Sequence, residues 1–178
     1  MGRFMNHKKW VVALALIATA LILTHLPVSE ADAAASASDF QIEGSTLTKY
    51  RGSDERVTIP DTVEVVGESA FENNQKVQFV VVPKSVKRMD AYVFWGCDNL
   101  EEVVLGKGLT SVDEYAFSGC TGLKQITIPE NIQSIDAQAF AGCTILTDIY
   151  IPDTVTSIAD DAFLNCDNAV SYTHLTLP

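Results

Sequence analysis

The sequence repeats every 23 residues, and this period constrains the fold more than any other feature. Phenylalanine recurs five times at this interval, proline recurs on the same ruler, and all four cysteines of the chain share it. The positions are Phe71, Phe94, Phe117, Phe140 and Phe163, then Pro60, Pro83, Pro129 and Pro152, then Cys97, Cys120, Cys143 and Cys166. A fixed period of about 20–50 residues is typical of solenoids, in which each unit buries its apolar face against its neighbours.

Each unit starts with alternating apolar residues and ends in a turn. In KQITIP, Ile126 and Ile128 point the same way, which predicts a short strand with one buried face. Proline ends the strand because it has no amide hydrogen to donate. A second apolar pair follows, and segments such as DEYAFSGC predict a short helical or 3₁₀ turn. The predicted fold is a solenoid of about five 23-residue repeats, with a parallel β-sheet on one side and short strands and helical or 3₁₀ turns on the other.

The repeat also resembles a known family. Its pattern, L-x-x-V/I-x-I/L-P-x-x-V-x-x-I-x-x-x-A-F-x-x-C, resembles the BspA-type leucine-rich repeats of bacterial surface and secreted proteins over residues 57–169. Asn74 replaces Cys, Gly106 replaces Pro and Val93 replaces Ala, and none of these departures breaks the register. Residues 40–56 resemble the N-terminal hairpin of such domains, which is expected to cap the open end of the core.

The N-terminal residues have the pattern of an export signal. A basic start is followed by an apolar run of 14 residues, Trp10 to Leu23, which is shorter than the roughly 18–20 residues of a spanning helix. Small-residue cleavage sites end at Ala33 and at Ala37. We expect a signal peptide over 1–33, or as far as 37, and a linker over 34–39; an uncleaved anchor is the alternative. The mature protein is then secreted or on the cell surface, without membrane insertion.

Residues 170–178 depart from the repeat. His174 stands where an apolar residue is due, and Pro178 comes three positions late. The string SYTHLTLP resembles the translation of a sequencing adapter. We therefore expect an artefactual tail, with a natural protein that continues past it; a degenerate last repeat is the alternative, since terminal repeats are often atypical.

The cysteines are predicted to be structural. The resemblance implies a ladder position at which a small polar side chain satisfies backbone carbonyls, and its members are Asn74, Cys97, Cys120, Cys143 and Cys166. Metal ligands must converge on one point, which a linear ladder prevents. Adjacent strands lie about 4.7–4.9 Å apart, but parallel side chains leave the Cβ atoms wider than a disulfide prefers. We expect reduced, buried thiols; export and the even count leave disulfides as the alternative.

Catalysis and nucleic-acid binding have little support. The net charge is −11, whereas a phosphate backbone selects clustered Lys and Arg. The three histidines, His7, His25 and His174, all lie outside the repeats, which removes Ser-His and Cys-His nucleophiles. No glycine-rich phosphate loop or EF-hand pattern is present. We expect no enzyme, no cofactor and no metal.

A binding function would then use the outward side of the predicted sheet. Leucine-rich repeat proteins commonly bind partners across this face, and the resemblance implies a non-catalytic binding or adhesion module for an unknown protein or glycan. The alternative is a structural spacer, or the non-catalytic part of a larger exported protein. Phe79 and Tyr150 are the predicted anchors, although outward β-branched residues also suit a pleated surface without any ligand. The candidate face comprises Phe79, Glu102, Gln125 and Asp148 in one column, and Thr58, Val81, Val104, Thr127 and Tyr150 in the other.

Overall fold

The structure, a computed structural model, describes residues 35–166. These residues form stacked coils, each of which contributes one three-residue strand to a parallel sheet in the order β3-β5-β7-β9-β11. Each neighbour is displaced by 23 residues, so Val57 pairs with Val80 and Val103 with Ile126. The predicted solenoid with a parallel sheet is confirmed. The strands are β3 (Arg56–Thr58), β5 (Phe79–Val81), β7 (Glu102–Val104), β9 (Gln125–Thr127) and β11 (Asp148–Tyr150).

A second row of two-residue strands follows the prolines. The row begins with an antiparallel hairpin of β1 (Phe40–Glu43) and β2 (Thr46–Tyr50), and β2 pairs in parallel with the first short strand. The hairpin therefore extends the second row, whereas β3 is the end strand of the main sheet. The short strands are β4 (Val65–Val66), β6 (Arg88–Met89), β8 (Ser111–Val112), β10 (Ser134–Ile135) and β12 (Ser157–Ile158).

The core lies between these two rows and the turns. Inward residues of the main strands, such as Val80, Val103 and Ile126, are at most 4% exposed. The second apolar pairs are equally buried in the inner coils, but Val155 and Ile158 of the last described coil are only partly buried. The inner coils are thus buried between two neighbouring coils, as expected for a solenoid.

Seven aromatic rings run through the core as one stack. Phe40 and Tyr50 of the hairpin begin it, with ring centroids 5.1 Å apart, and Tyr50 lies 5.0 Å from Phe71. The phenylalanines of the repeat continue it at spacings between 4.9 and 5.3 Å. The hairpin is therefore packed into the core by the same contact that joins the coils.

The turns are not helical, contrary to that part of the prediction. The 3₁₀ helix Ala37–Asp39, within the expected linker, is the only helix in residues 35–166. Each of the first four turns has two residues with positive φ four positions apart, as at Tyr92 (60°) and Gly96 (67°), whereas the last described turn has one, Asn165 (59°). A left-handed residue ends a right-handed helix, so two of them leave no room for a helical turn.

Backbone amides in the turns alternate between two kinds of acceptor. The amides of Phe94 and Gly96 donate to carbonyls of the next coil at 2.8 and 2.9 Å. Those of Trp95 and Cys97 donate within their own turn, to the carbonyls three residues earlier, at 3.1 Å. The turns therefore satisfy their backbone groups by joining adjacent coils, as a sheet does.

Two sequence expectations concern residues that lie largely outside the described part. The signal peptide or anchor over 1–33 and the tail over 170–178 are not covered. A search of the described residues finds no helix of the length and apolarity needed to cross a bilayer.

Candidate functional site

The outward face of the main sheet places the predicted binding residues in register. The β5–β7 and β7–β9 pairs align Phe79 with Glu102 and Glu102 with Gln125, and β11 sets Asp148 next to Gln125. The second column runs through Val81, Val104, Thr127 and Tyr150, with Thr58 preceding it on β3. One continuous five-stranded surface thus carries both columns.

This face is least exposed in its middle, since Thr58 at the N-terminal end is exposed, as are Thr127 and Tyr150 toward the C-terminal end. Val81 and Val104 are partly buried, Thr127 is exposed, and Tyr150 is 50% exposed. The two valines lie directly opposite each other across strands and shield each other, which β-branched neighbours do on a pleated surface. Tyr150 is therefore the most accessible aromatic ring of the face.

Phe79 already has an intramolecular partner. The guanidinium carbon of Arg56, the residue opposite it on β3, lies 4.4 Å from the centre of the Phe79 ring. This cation–π contact covers part of the ring, and Phe79 is only partly exposed. A ligand that used Phe79 would therefore contact Arg56 as well.

The cysteines form a hydrogen-bonded ladder inside the turns. The thiol of Cys97 donates to the carbonyl of Phe71 at 3.1 Å, and the thiol of Cys120 donates to that of Phe94 at the same distance. Cys143 and Cys166 repeat the contact at 3.2 and 3.0 Å. Each thiol ties a turn to the preceding coil, which is the ladder role that the resemblance implied.

Burial keeps these thiols protonated. Cys97, Cys120 and Cys143 are free thiols with no exposed surface. Burial raises the pKa of Cys97 to about 12 and raises that of Cys120 well above its usual value. A hydrogen bond with Cys166, and then burial, raise the pKa of Cys143. A protonated, inaccessible thiol is neither a nucleophile nor a metal ligand.

Asn74 occupies the same ladder position but bonds differently. Its side-chain oxygen accepts from the amides of Lys76 and Val77 at 2.9 and 3.0 Å, and its nitrogen donates to the carbonyl of Gly52 at 3.4 Å. A thiol has no comparable acceptor for two amides. Asn74 thus caps its own turn and also contacts the loop after the hairpin.

The structure places a second aromatic group on the surface of the turns. The rings of Tyr92 and Tyr115 are stacked at 4.7 Å, and Trp95 meets Tyr92 edge-on at 6.5 Å. Trp95 is 39% exposed. Sequence reasoning missed this group because it occurs in two coils only; the 23-residue spacing of Tyr92 and Tyr115 was the available signal.

Three carboxylates form a column beside these turns. Asp90, Asp113 and Asp136 occupy the same position in successive coils, directly after the short strands. Burial raises the pKa of Asp113; the Ser111 hydroxyl, which donates to it at 2.5 Å, opposes this, and the neighbouring aspartates reinforce it. Among residues 35–166, no group of three His, Cys, Asp or Glu side chains has a metal-binding arrangement.

Comparison with known families and structures assigns the chain. The "BspA type Leucine rich repeat region" matches residues 45–170 with 6 copies. The match begins earlier than the predicted repeats because it includes β2, whose Tyr50 occupies the ring stack. No curated protein sequence matches the chain.

The solved structures that resemble the chain are bacterial leucine-rich repeat proteins. A leucine-rich cell surface protein from Faecalibacterium prausnitzii is 33% identical with a TM-score of 0.71, over 74% of this chain and 36% of its own. The T. pallidum leucine-rich repeat protein is 28% identical with a TM-score of 0.73, over 75% of this chain and 68% of its own. A leucine-rich repeat protein from Bacteroides ovatus is 30% identical with a TM-score of 0.63, and the match covers 72% of this chain and 37% of that protein. The chain thus spans little more than a third of two of these relatives, and it belongs to the BspA-type leucine-rich repeat family.

Proposed function

We propose that the chain is an exported, non-catalytic binding or adhesion module that contacts a protein or glycan partner through the outward face of the main sheet. The observation that carries this proposal is the in-register face of five strands, at whose C-terminal end Tyr150 is half exposed. Exposed aromatic side chains are frequent anchors of binding surfaces. The family includes bacterial surface proteins, which agrees with export.

The composition of the face suits a ligand with both apolar and polar groups. One column presents valine, threonine and tyrosine, and the other presents the Arg56–Phe79 pair beside Glu102 and Gln125. Such a surface offers stacking area together with hydrogen-bonding side chains, and both protein and glycan ligands use this combination.

The cysteine ladder and the turns support a scaffold role rather than catalysis. The thiols of Cys97, Cys120 and Cys143 are buried and protonated. The carboxylates of Asp90, Asp113 and Asp136 occupy equivalent positions in successive coils instead of facing each other across a cleft. A hydrolase pair of carboxyl groups needs two such side chains on opposite sides of a substrate.

The binding proposal is tested by screening the purified protein on a glycan array and on a panel of extracellular matrix proteins. The face is then changed by Val104→Arg and Tyr150→Ala, with Ile145→Ala as a matched control, because Ile145 is an exposed apolar residue (39%) outside both the sheet-face columns and the turns. We expect a captured ligand to lose at least tenfold in affinity with the face variants and to be unaffected by the control. Full binding by both face variants would contradict the proposal.

Export is tested separately by expressing the full chain in a bacterial host and measuring the N-terminus of the material outside the cytoplasm by mass spectrometry. A mature start at Ala34 or Ser38 is expected. Retention of the intact chain in the cytoplasm would overturn the proposed location. Export without any ligand on the sheet face would favour the spacer role. The larger size of the relatives agrees with that role.

A further inference from the structure

We propose that the turn face of the solenoid binds an arginine-bearing segment of a partner protein, with Tyr92, Trp95 and Tyr115 as an aromatic platform. This surface lies on the turns and is separate from the strand residues of the sheet face. It needs neither the residues nor the ligand of the function proposed above.

The three rings form one surface that spans two coils. Tyr92 and Tyr115 are nearly parallel, with 6° between the ring planes, whereas Trp95 stands at 83° to Tyr92. Trp95 is exposed and both tyrosines are partly exposed. The platform therefore offers both a ring face and ring edges to solvent.

The backbone at both tyrosines is unusual for so large a side chain. Tyr92 has φ of 60° and Tyr115 has φ of 55°, in the left-handed region that disfavours bulky residues. The same position is Ser69 in the preceding coil and Gln138 in the following one, with φ of 57° and 52°. Four successive coils share this backbone with different side chains, so the fold does not require an aromatic residue at this position. Residues held in a disfavoured backbone conformation often lie at functional surfaces. The two tyrosines are therefore candidates for such a surface.

All charged side chains of the turn segments are negative. The five turn segments, 67–75, 90–98, 113–121, 136–144 and 159–166, each contain Asp or Glu and contain no Lys, Arg or His. All of these carboxylates lie in partly or fully exposed residues. Glu114 and Glu68 lie near enough to Tyr92 to help raise the pKa of its hydroxyl, after burial and Tyr115. The rings therefore lie in a negative field.

Two cations from other segments reach this region, and both have partners. The ammonium group of Lys49 donates to the carbonyl of Ser69 at 2.8 Å, and Arg88 pairs with Asp90 at 2.6 Å. Within residues 35–166, neither side chain forms an ion pair with Glu68 or Glu114, the carboxylates next to the rings. The surface is thus complementary to a positively charged ligand.

Arginine fits this combination best. A guanidinium group stacks on aromatic rings and forms paired hydrogen bonds with carboxylates. The carboxylates repel nucleic acids and other anions. A neutral glycan gains no charge attraction from them. The platform and its acidic flanks extend over successive coils about 4.7–4.9 Å apart, so an extended peptide reaches several of them at once.

The test uses the full chain with Trp10→Phe, which leaves Trp95 as the sole tryptophan. Hexa-arginine is titrated while the emission of Trp95 is recorded, at low and at physiological salt. We expect a saturable change whose midpoint rises with salt, because exposed charges are screened. Trp95→Ala, measured by calorimetry, is expected to lower the affinity by about 3- to 30-fold.

Matched variants separate the rings from the overall charge. Tyr92→Ser with Tyr115→Gln installs the side chains of the neighbouring coils on the same backbone and is expected to weaken hexa-arginine binding while leaving thermal unfolding close to the parent. Glu68→Gln with Glu114→Gln is expected to weaken binding and to reduce its salt dependence. Tyr150→Ala, on the sheet face, is expected to change nothing.

Three results would overturn the proposal. The first is no binding of hexa-arginine at low salt. The second is an affinity for hexa-arginine that both Trp95→Ala and the double tyrosine variant share with the parent. This would mean that the acidic chain attracts the peptide diffusely, without the rings. The third is Trp95-dependent binding of an N-acetylglucosamine trimer without binding of hexa-arginine, which would assign the platform to a glycan.

Discussion

The aromatic rings inside the solenoid and those on its turn face differ in how many coils they involve. The inner stack has a member in every described coil and in the hairpin, and four of its phenylalanines have no exposed surface. The outer group of Tyr92, Tyr115 and Trp95 belongs to two coils and is open to solvent. A feature in every coil reports what the fold requires, whereas a feature in a few coils is free to serve a function.

The largest expected difference between the two groups is in stability. Phe117→Ala is expected to lower the free energy of unfolding by about 3–5 kcal/mol, because it removes a fully buried ring from between Phe94 and Phe140. Trp95→Ala is expected to cost about 0.5 kcal/mol or less, as at other surface sites. Urea unfolding of both variants measures this. A cost below about 1 kcal/mol for Phe117→Ala would mean that the inward register is wrong.

A second test asks whether the inner ladder is uniform. Asn74→Cys is expected to cost about 1–2 kcal/mol, because the amides of Lys76 and Val77 lose their acceptor. The reciprocal Cys97→Asn is also expected to destabilise, since the larger amide enters a site with no exposed surface. Equal stability of Asn74→Cys and the parent in urea would show that the hairpin-proximal coil is like the others.

A third test concerns the strained backbone of the outer group. At Tyr115, glycine is expected to give a protein about 0.5–1 kcal/mol more stable than alanine does, because φ is 55°. At Glu114, which is not among the positive-φ residues, the order is expected to reverse. Thermal unfolding of the four variants measures both differences. A higher stability of Tyr115→Ala than of Tyr115→Gly would contradict the left-handed backbone at this residue.

The smallest effect is expected in the carboxylate column beside the turns. The raised pKa of Asp113 means that its contribution to stability is present below the unfolded pKa, near 3.9, and is lost as pH rises through the folded pKa. Asp113→Asn is therefore expected to stabilise by about 0.2–1 kcal/mol at pH 7, because it removes the desolvation of a partly buried carboxylate and, to a smaller extent, its repulsion by Asp136 and Asp90. The gain should vanish near pH 3.5 in urea unfolding, and Glu130→Gln serves as an exposed control. A gain that persists at acid pH would rule out the charge explanation.

Much of the fold could be predicted from the sequence. The 23-residue spacing assigned Phe117 and Cys120 to the inside, and alternation assigned Ile126 inward and Thr127 outward. These assignments succeed because packing repeats in every coil, so a single sequence contains several examples of each position.

The turns and the contacts on the face were less predictable. Glycine or asparagine indicates one column of left-handed residues, which includes Asn73 and Gly96. The second column includes Tyr92 and Tyr115, and tyrosine is not a residue type that predicts a left-handed backbone. The contact of Arg56 with Phe79 depends on side-chain conformations across two strands, which the pattern of apolar residues does not specify. Whether the sheet face or the turn face binds a ligand stays a prediction.

The continuous ring stack has a consequence for the order of folding. Partners in the hairpin are 3 to 10 residues apart, from Glu43 with Thr46 to Phe40 with Tyr50, whereas those between coils of the main sheet are 23 apart. The hairpin therefore closes the shortest loops, and every later coil closes a loop of the same length at about the same entropic cost. Nucleation at the N-terminal end, followed by the addition of one ring at a time to a ring already in place, suits a chain that emerges from its N-terminus during synthesis.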